Sequence, residues 1–105
     1  PVPLGELRAL GPAALVAASA SACGADPALT GKRREVVLAR RVACALTRAA
    51  SMPLGEVAWV LGIHPGNARK LLTVPIPEGA LLATRRRLAL ERLVALDLER
   101  KGSRC

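Results

Sequence analysis

The stretch Leu54-Gly-Glu-Val-Ala-Trp-Val-Leu-Gly-Ile-His-Pro-Gly-Asn-Ala-Arg-Lys-Leu-Leu72 decides the fold. Leu54, Val57, Ala58 and Leu61 recur at helical spacing, which predicts a short amphipathic helix over residues 54–61. Gly62 comes next, where a helix end favours the left-handed φ that glycine adopts without steric penalty. Ile63 is expected to plug the corner. His64-Pro65 then opens a second helix that runs to about Thr73, with His64 capping it and proline in its first turn. Ala68 and Leu71 take its inward positions. Ala58 falls where the two helices cross, and a larger side chain there would push them apart. Residues 54–72 therefore have helix-turn-helix spacing, and the second helix is the one that enters a major groove in such units. The same spacing also describes an ordinary corner between two helices with no nucleic acid on it.

Upstream, Arg34 to Ala50 holds neither Gly nor Pro and reads as one long helix. Leu38, Val42, Ala45, Leu46 and Ala49 are expected to share its buried face. Arg34, Arg41 and Arg48 recur every seven residues and line up beside that face. They are either phosphate contacts or a solvated rim whose stems cover apolar neighbours. Ser51-Met52-Pro53 breaks the chain before the next helix. Nearer the start, Leu4 to Leu10 forms a helical turn. Pro12 to Cys23 forms an Ala-rich helix closed by Gly24, and Asp26-Pro27 opens a short turn to Leu29 that Gly31 ends. Lys32, Arg33 and Arg34 then make a basic loop. Downstream, Val74-Pro75-Ile76-Pro77 reads as an extended linker. Glu78 to Lys101 is the longest helix, stopped by Gly102, with Leu82, Ala89, Leu93 and Leu96 as its expected seam. The expectation is an all-α fold: a small helical bundle containing the helix-turn-helix over residues 1–74, then a long C-terminal helix over 78–101.

Composition agrees and excludes several classes. A chain of 105 residues supports one small domain, and 51% apolar residues suffice for its core. That core is drawn from Ala, Leu and Val, with one Trp and no Phe or Tyr, which argues against an all-β fold and removes any tyrosine nucleophile. A single His and eight scattered carboxylates form no catalytic constellation, so no enzyme is expected. Glu35 and Glu56 alone give no basis for one. Cys23, Cys44 and Cys105 form no close pair and stand apart from His64, so neither a metal nor another cofactor is expected, and the odd count fits a reducing cytosol. Ala13 to Cys23 is too short for a bilayer span and lacks the charged lead of a signal peptide, so no membrane partner is expected. The net charge of +8 is concentrated in residues 32–72, which hold eight bases against two acids. Such a basic middle points to a polyanion, most simply nucleic acid. Thirteen Arg against three Lys also fits a GC-rich coding bias.

Arg34-Glu-Val-Val-Leu-Ala-Arg-Arg-Val-Ala-Cys-Ala-Leu-Thr-Arg48, then Met52-Pro-Leu-Gly-Glu-Val-Ala58, then Leu61-Gly-Ile63, resembles the C-terminal DNA-binding domain of the bacterial replication initiator DnaA. It is more similar still to the related domain at the C-terminus of some REP-associated tyrosine transposases. Cys23 to Gly31 followed by Lys32-Arg-Arg34 is similar to that family's short helix and basic loop, so the likeness spans about residues 12–72. The resemblance implies double-stranded DNA binding, with a recognition helix in the major groove and the basic loop on the backbone or minor groove. Carried over by position, Pro65, Gly66, Asn67, Arg69 and Lys70 fall on the recognition helix, and Lys32, Arg33 and Arg34 on the loop. The DnaA signature Asp-His-Thr-Thr-Val is replaced here by Pro65-Gly66-Asn67-Ala68, so recognition of the DnaA box is not carried over.

The expected DNA-binding set is therefore Lys32, Arg33, Arg34, Arg41, Arg48, His64, Gly66, Asn67, Arg69 and Lys70. Asn67 has the geometry to read adenine and Arg69 to read guanine. His64 is expected to cap its helix rather than catalyse or bind metal. Trp59 is expected to be partly buried against a neighbouring helix, and Arg85-Arg86-Arg87 to form a solvated patch. The chain begins at Pro1 without Met and is expected to be one module of a longer bacterial, cytoplasmic, nucleoid-associated replication or transposition protein. The alternative is a helical protein-interaction module whose residues 78–101 pack on a partner or a second copy, the basic charge being incidental.

Overall fold

Alanine, leucine and arginine favour helix, and the prolines and glycines divide the chain into pieces of the expected lengths. A computed structural model of the chain describes residues 2–26, 28, 30–31 and 33–102, excluding the side chains at 92 and 94–102. Expectations placed on Lys32, Pro27, Leu29, Cys105 and the Leu96 side chain lie outside the described residues. The elements are α1 (Leu4–Leu10), α2 (Pro12–Ala22), α3 (Arg34–Ala49), α4 (Leu54–Leu61), α5 (Pro65–Leu71) and α6 (Glu78–Gly102). The described residues contain no strand, so the all-α expectation holds. None of these helices is long and apolar enough to cross a membrane.

Helices α2 and α3 form the centre. Helix α2 packs on α1, α3, α4 and α6, and α3 touches all five others. Two clusters of buried side chains lie along this pair. The first joins Val36, Ala39, Ala43 and Cys44 of α3 to Val57 and Ala58 of α4 and Ala68 of α5. The second joins Val42 and Leu46 of α3 to Leu7, Leu15 and Leu88 of α1, α2 and α6. The clusters share α3, so one face of it supports the helix-turn-helix and another supports the outer helices.

Helix ends follow from local backbone chemistry. Gly24 and Gly62 both take left-handed φ, +69° and +70°, as the sequence predicts for a helix terminus. At each, two amide N–H groups reach back to carbonyls that the helix leaves open: Ala25 to Ala20 and Gly24 to Ser21, then Ile63 to Ala58 and Gly62 to Trp59. The end of α3 uses the same arrangement with a residue less suited to it. Ser51 holds φ +58°, donating to Arg48, while Met52 donates to Thr47. Buried hydroxyls are satisfied within their own helices: Ser19, Thr47 and Thr84 donate to the carbonyls of Leu15, Ala43 and Ala80 at 2.7–2.9 Å.

Two expected faces are rotated. On α3, Ala49 is exposed, and the buried set also takes in Val36, Ala39, Ala43, Cys44 and Thr47. Other helices flank α3 on several sides, so its buried arc is wider than one stripe. On α6, Leu88 and Thr84 are buried while Leu93 is 65% exposed, so the seam does not run along Leu82, Ala89 and Leu93. Leucines occur all round this helix, and the side that meets α2 decides which are covered. Helix α6 runs as far as Gly102, its last described residue. Arg85 is not solvated either. It is half-buried, with its Nε donating to the Val2 carbonyl at 2.8 Å, while the Val2 amide donates to the Arg85 carbonyl at 3.2 Å. Only Arg86 and Arg87 face water, the latter paired with Glu91 at 3.2 Å.

Two measurements test these points. Ser51→Gly relieves left-handed strain at an exposed position, so the urea midpoint should rise by an equivalent of about 0.5–1 kcal/mol. A fall would show that the Ser51 side chain contributes something the backbone argument omits. Burial pushes the Cys44 thiol up from its ordinary 9.0 to about 11. The folded state then keeps the proton longer than the unfolded chain does. This stabilisation is whole below about pH 9 and is lost as pH rises through the folded value, by on the order of 2 kcal/mol. Cys44→Ala should flatten that alkaline decline.

Candidate nucleic-acid interface

The short helix α5 is held from one side and open on the other. Ala68, fully buried, packs into the first cluster against α3 and α4, and Leu71 lies partly buried beside it. Asn67, Arg69 and Lys70 are exposed. The expected inward and outward positions are thus those observed. At the start of the helix, His64 Nδ1 accepts the Gly66 amide N–H at 3.0 Å, so His64 caps α5. A Cβ on residue 66 would stand 3.1 Å from that nitrogen, so the glycine makes room for the ring that caps it. The capping bond offsets part of the helical weakness of a Pro-Gly start.

The other expected residues divide between two regions. Arg33 has extended backbone ahead of α3, and Arg34 begins that helix; both side chains are exposed. Val36, two residues on from Arg34, lies in the same cluster as Ala68 of α5. Arg48 is exposed too, but fourteen residues of helix set it about 21 Å along the axis from Arg34. There α3 packs through Leu46 into the second cluster. Arg41 lies between them, half-buried, with no hydrogen-bond acceptor for its Nε among the described residues. The expected stripe is therefore three different environments along one helix. Around α5 the described charges are mostly basic: its own sequence has no acid, and neither Arg69 nor Lys70 is in an ion pair among the described residues. Glu35 is half-buried in the first turn of α3, and Glu56 is exposed on α4.

Trp59 departs from expectation. It is 84% exposed. With Val57 and Ala58 turned inward, the next residue lies about 100° further round the helix and faces out. Its ring borders a groove of about 580 Å³ between α4 and the junction of α1 and α2, lined also by Leu10, Pro12, Ala13 and Val60. Treating every large apolar residue as core material hides this site; the angular position beside Ala58 is the signal that finds it.

No protein-family model, curated protein or solved structure matches the chain.

Paired substitutions on α4 test the geometry. Ala58→Leu should cost about 1–3 kcal/mol in chemical denaturation, because it forces apart helices that meet at a fully packed point. Trp59→Ala, one residue on, should change stability by less than about 0.5 kcal/mol. Wild-type indole fluorescence should be readily quenched by iodide. A protected indole, or a costly Trp59→Ala, would contradict the outward placement.

Proposed function

We propose that the chain is a non-catalytic module that binds duplex DNA, with α5 as the recognition helix in the major groove. One observation carries the reading: Asn67, Arg69 and Lys70 all face solvent on a helix whose back, at Ala68, is closed against α3 and α4. Amide and guanidinium groups are those that bond adenine and guanine edges in pairs, and a lysine beside them neutralises phosphate. Arg33 and Arg34, exposed beside the α3 residue Val36 that shares a cluster with Ala68, and Lys32 preceding them in sequence, supply backbone contacts. The net charge of +8 supports a polyanionic partner. The resemblance of residues 12–72 to the DNA-binding domains of DnaA and of REP-associated tyrosine transposases supports the same reading. The module would bring a bacterial replication or transposition protein to its site on the nucleoid.

A labelled duplex titrated in a gel-shift series at rising salt tests this. With about five phosphates neutralised, the log–log slope of affinity against salt should lie near −4 to −5. Replacing Lys32, Arg33 and Arg34 together by Ala should weaken binding to all sequences and flatten the slope by up to about 3. Arg69→Ala should instead relax sequence preference, by about 1–3 kcal/mol at one base pair. Absence of retardation at low salt would refute the proposal.

A second reading, a helical protein-interaction module, draws on α6. Leu90 and Leu93 are 53% and 65% exposed on its outer side, an apolar pair available to a partner or a second copy. Sedimentation of the chain alone, beside the gel-shift, separates the two readings.

A further inference from the structure

A groove of about 410 Å³ runs between α3 and the linker after α5. Its floor is one stripe of α3 (Arg34, Val37, Leu38 and Arg41), and Pro75 and Pro77 form the facing wall. These α3 positions differ by three or four residues, so all four side chains rise on the same side. None of the lining residues is acidic. Arg41 carries a permanent positive charge into it on a half-buried side chain, and its Nε–H has no acceptor among the described residues. A charged donor removed from water without an acceptor is costly, and a bound anion is one of the ways native structures satisfy such a group. Proline contributes no backbone N–H, so the facing wall adds no amide donor at either position.

We propose that this groove is a phosphate site, holding one tetrahedral oxyanion between the guanidinium groups of Arg34 and Arg41. Guanidinium offers forked N–H donors that match phosphate oxygens two at a time. The volume exceeds ten times the roughly 30 Å³ that a water occupies, leaving room for the anion and its remaining hydration. Val37, Leu38 and the two prolines provide apolar walls, which raise the strength of each charged bond relative to open surface. The site deepens the DNA-binding reading and rests on it for its source: the phosphate is one of the duplex backbone, gripped at a point separate from α5. Free inorganic phosphate offers the same chemistry, and the test separates the two.

The Arg41 Nε–H gives its own signal in nitrogen-edited proton spectra of the full chain. Inorganic phosphate, added against chloride at matched ionic strength, should shift that signal with saturation. The saturable response should be lost in Arg41→Gln, weakened several-fold in Arg34→Gln and kept in Arg86→Gln, on the exposed side of α6. Helical circular dichroism checks that each variant folds, and the wild-type titration stands without them. With duplex, Arg41→Gln should flatten the salt slope by about 1 while leaving sequence preference unchanged. If duplex binds but phosphate gives no saturable shift and the slope does not change, the site is refuted and the DNA reading survives. If phosphate saturates Arg41 but duplex never binds, the site stands for free phosphate and the DNA reading falls. Saturation by polyglutamate in preference to phosphate would overturn the assignment and indicate an acidic protein surface instead.

Discussion

Alanine lines the helix crossings on which this molecule depends. Ala20, Ala39, Ala43, Ala58 and Ala68 are essentially inaccessible to solvent and come from α2, α3, α4 and α5. With no Phe or Tyr and the only Trp turned outward, no aromatic ring separates the backbones. Helices that meet through methyl groups approach closely, and dispersion across these contacts compensates for the modest area each alanine buries. This arrangement also explains the short α5. Seven residues would not hold a helix alone, but Ala68 sets it directly against two neighbours.

That constraint determines what faces outward. Once Ala68 is fixed inside, the rotation of α5 is set, and Asn67, Arg69 and Lys70 are carried to the surface without any contact of their own to position them. The His64 cap fixes where the helix begins, and Gly62 fixes its direction relative to α4. A surface built this way is fixed at its base by the packing of Ala68, while its side chains stand in solvent.

Much of this was readable from residue order, and the exceptions have physical causes. The bounds of α1, α2 and α4, the left-handed Gly62 and the inward Ala68 follow from local signals: a proline, a glycine or a spacing of three and four. The exposed trio of α5 then follows by elimination. The seam of α6 does not, because leucines at 81, 82, 88, 90 and 93 offer several stripes and only packing on α2 and α3 selects among them. Arg85 reads as one of three solvated arginines until Val2 is seen beside it. Trp59 was assigned by its hydrophobicity rather than its angle. The Arg34–Arg41 groove was hidden for a different reason. Its far wall, Pro75 and Pro77, lies more than thirty residues away in sequence, so no local pattern reports it.

The clasp between Val2 and Arg85 imposes an order on assembly. It joins groups 83 positions apart, and α2 likewise meets α6 only after most of the chain has been made. The α4–α5 corner, by contrast, closes over a few residues. Loop-closure entropy favours the near pairing first and leaves the distant one for last. On a ribosome, the α4–α5 pair can form while α2 still lacks the helix α6 that packs against it. The face of α2 that packs on α6 therefore stays uncovered until α6 has formed.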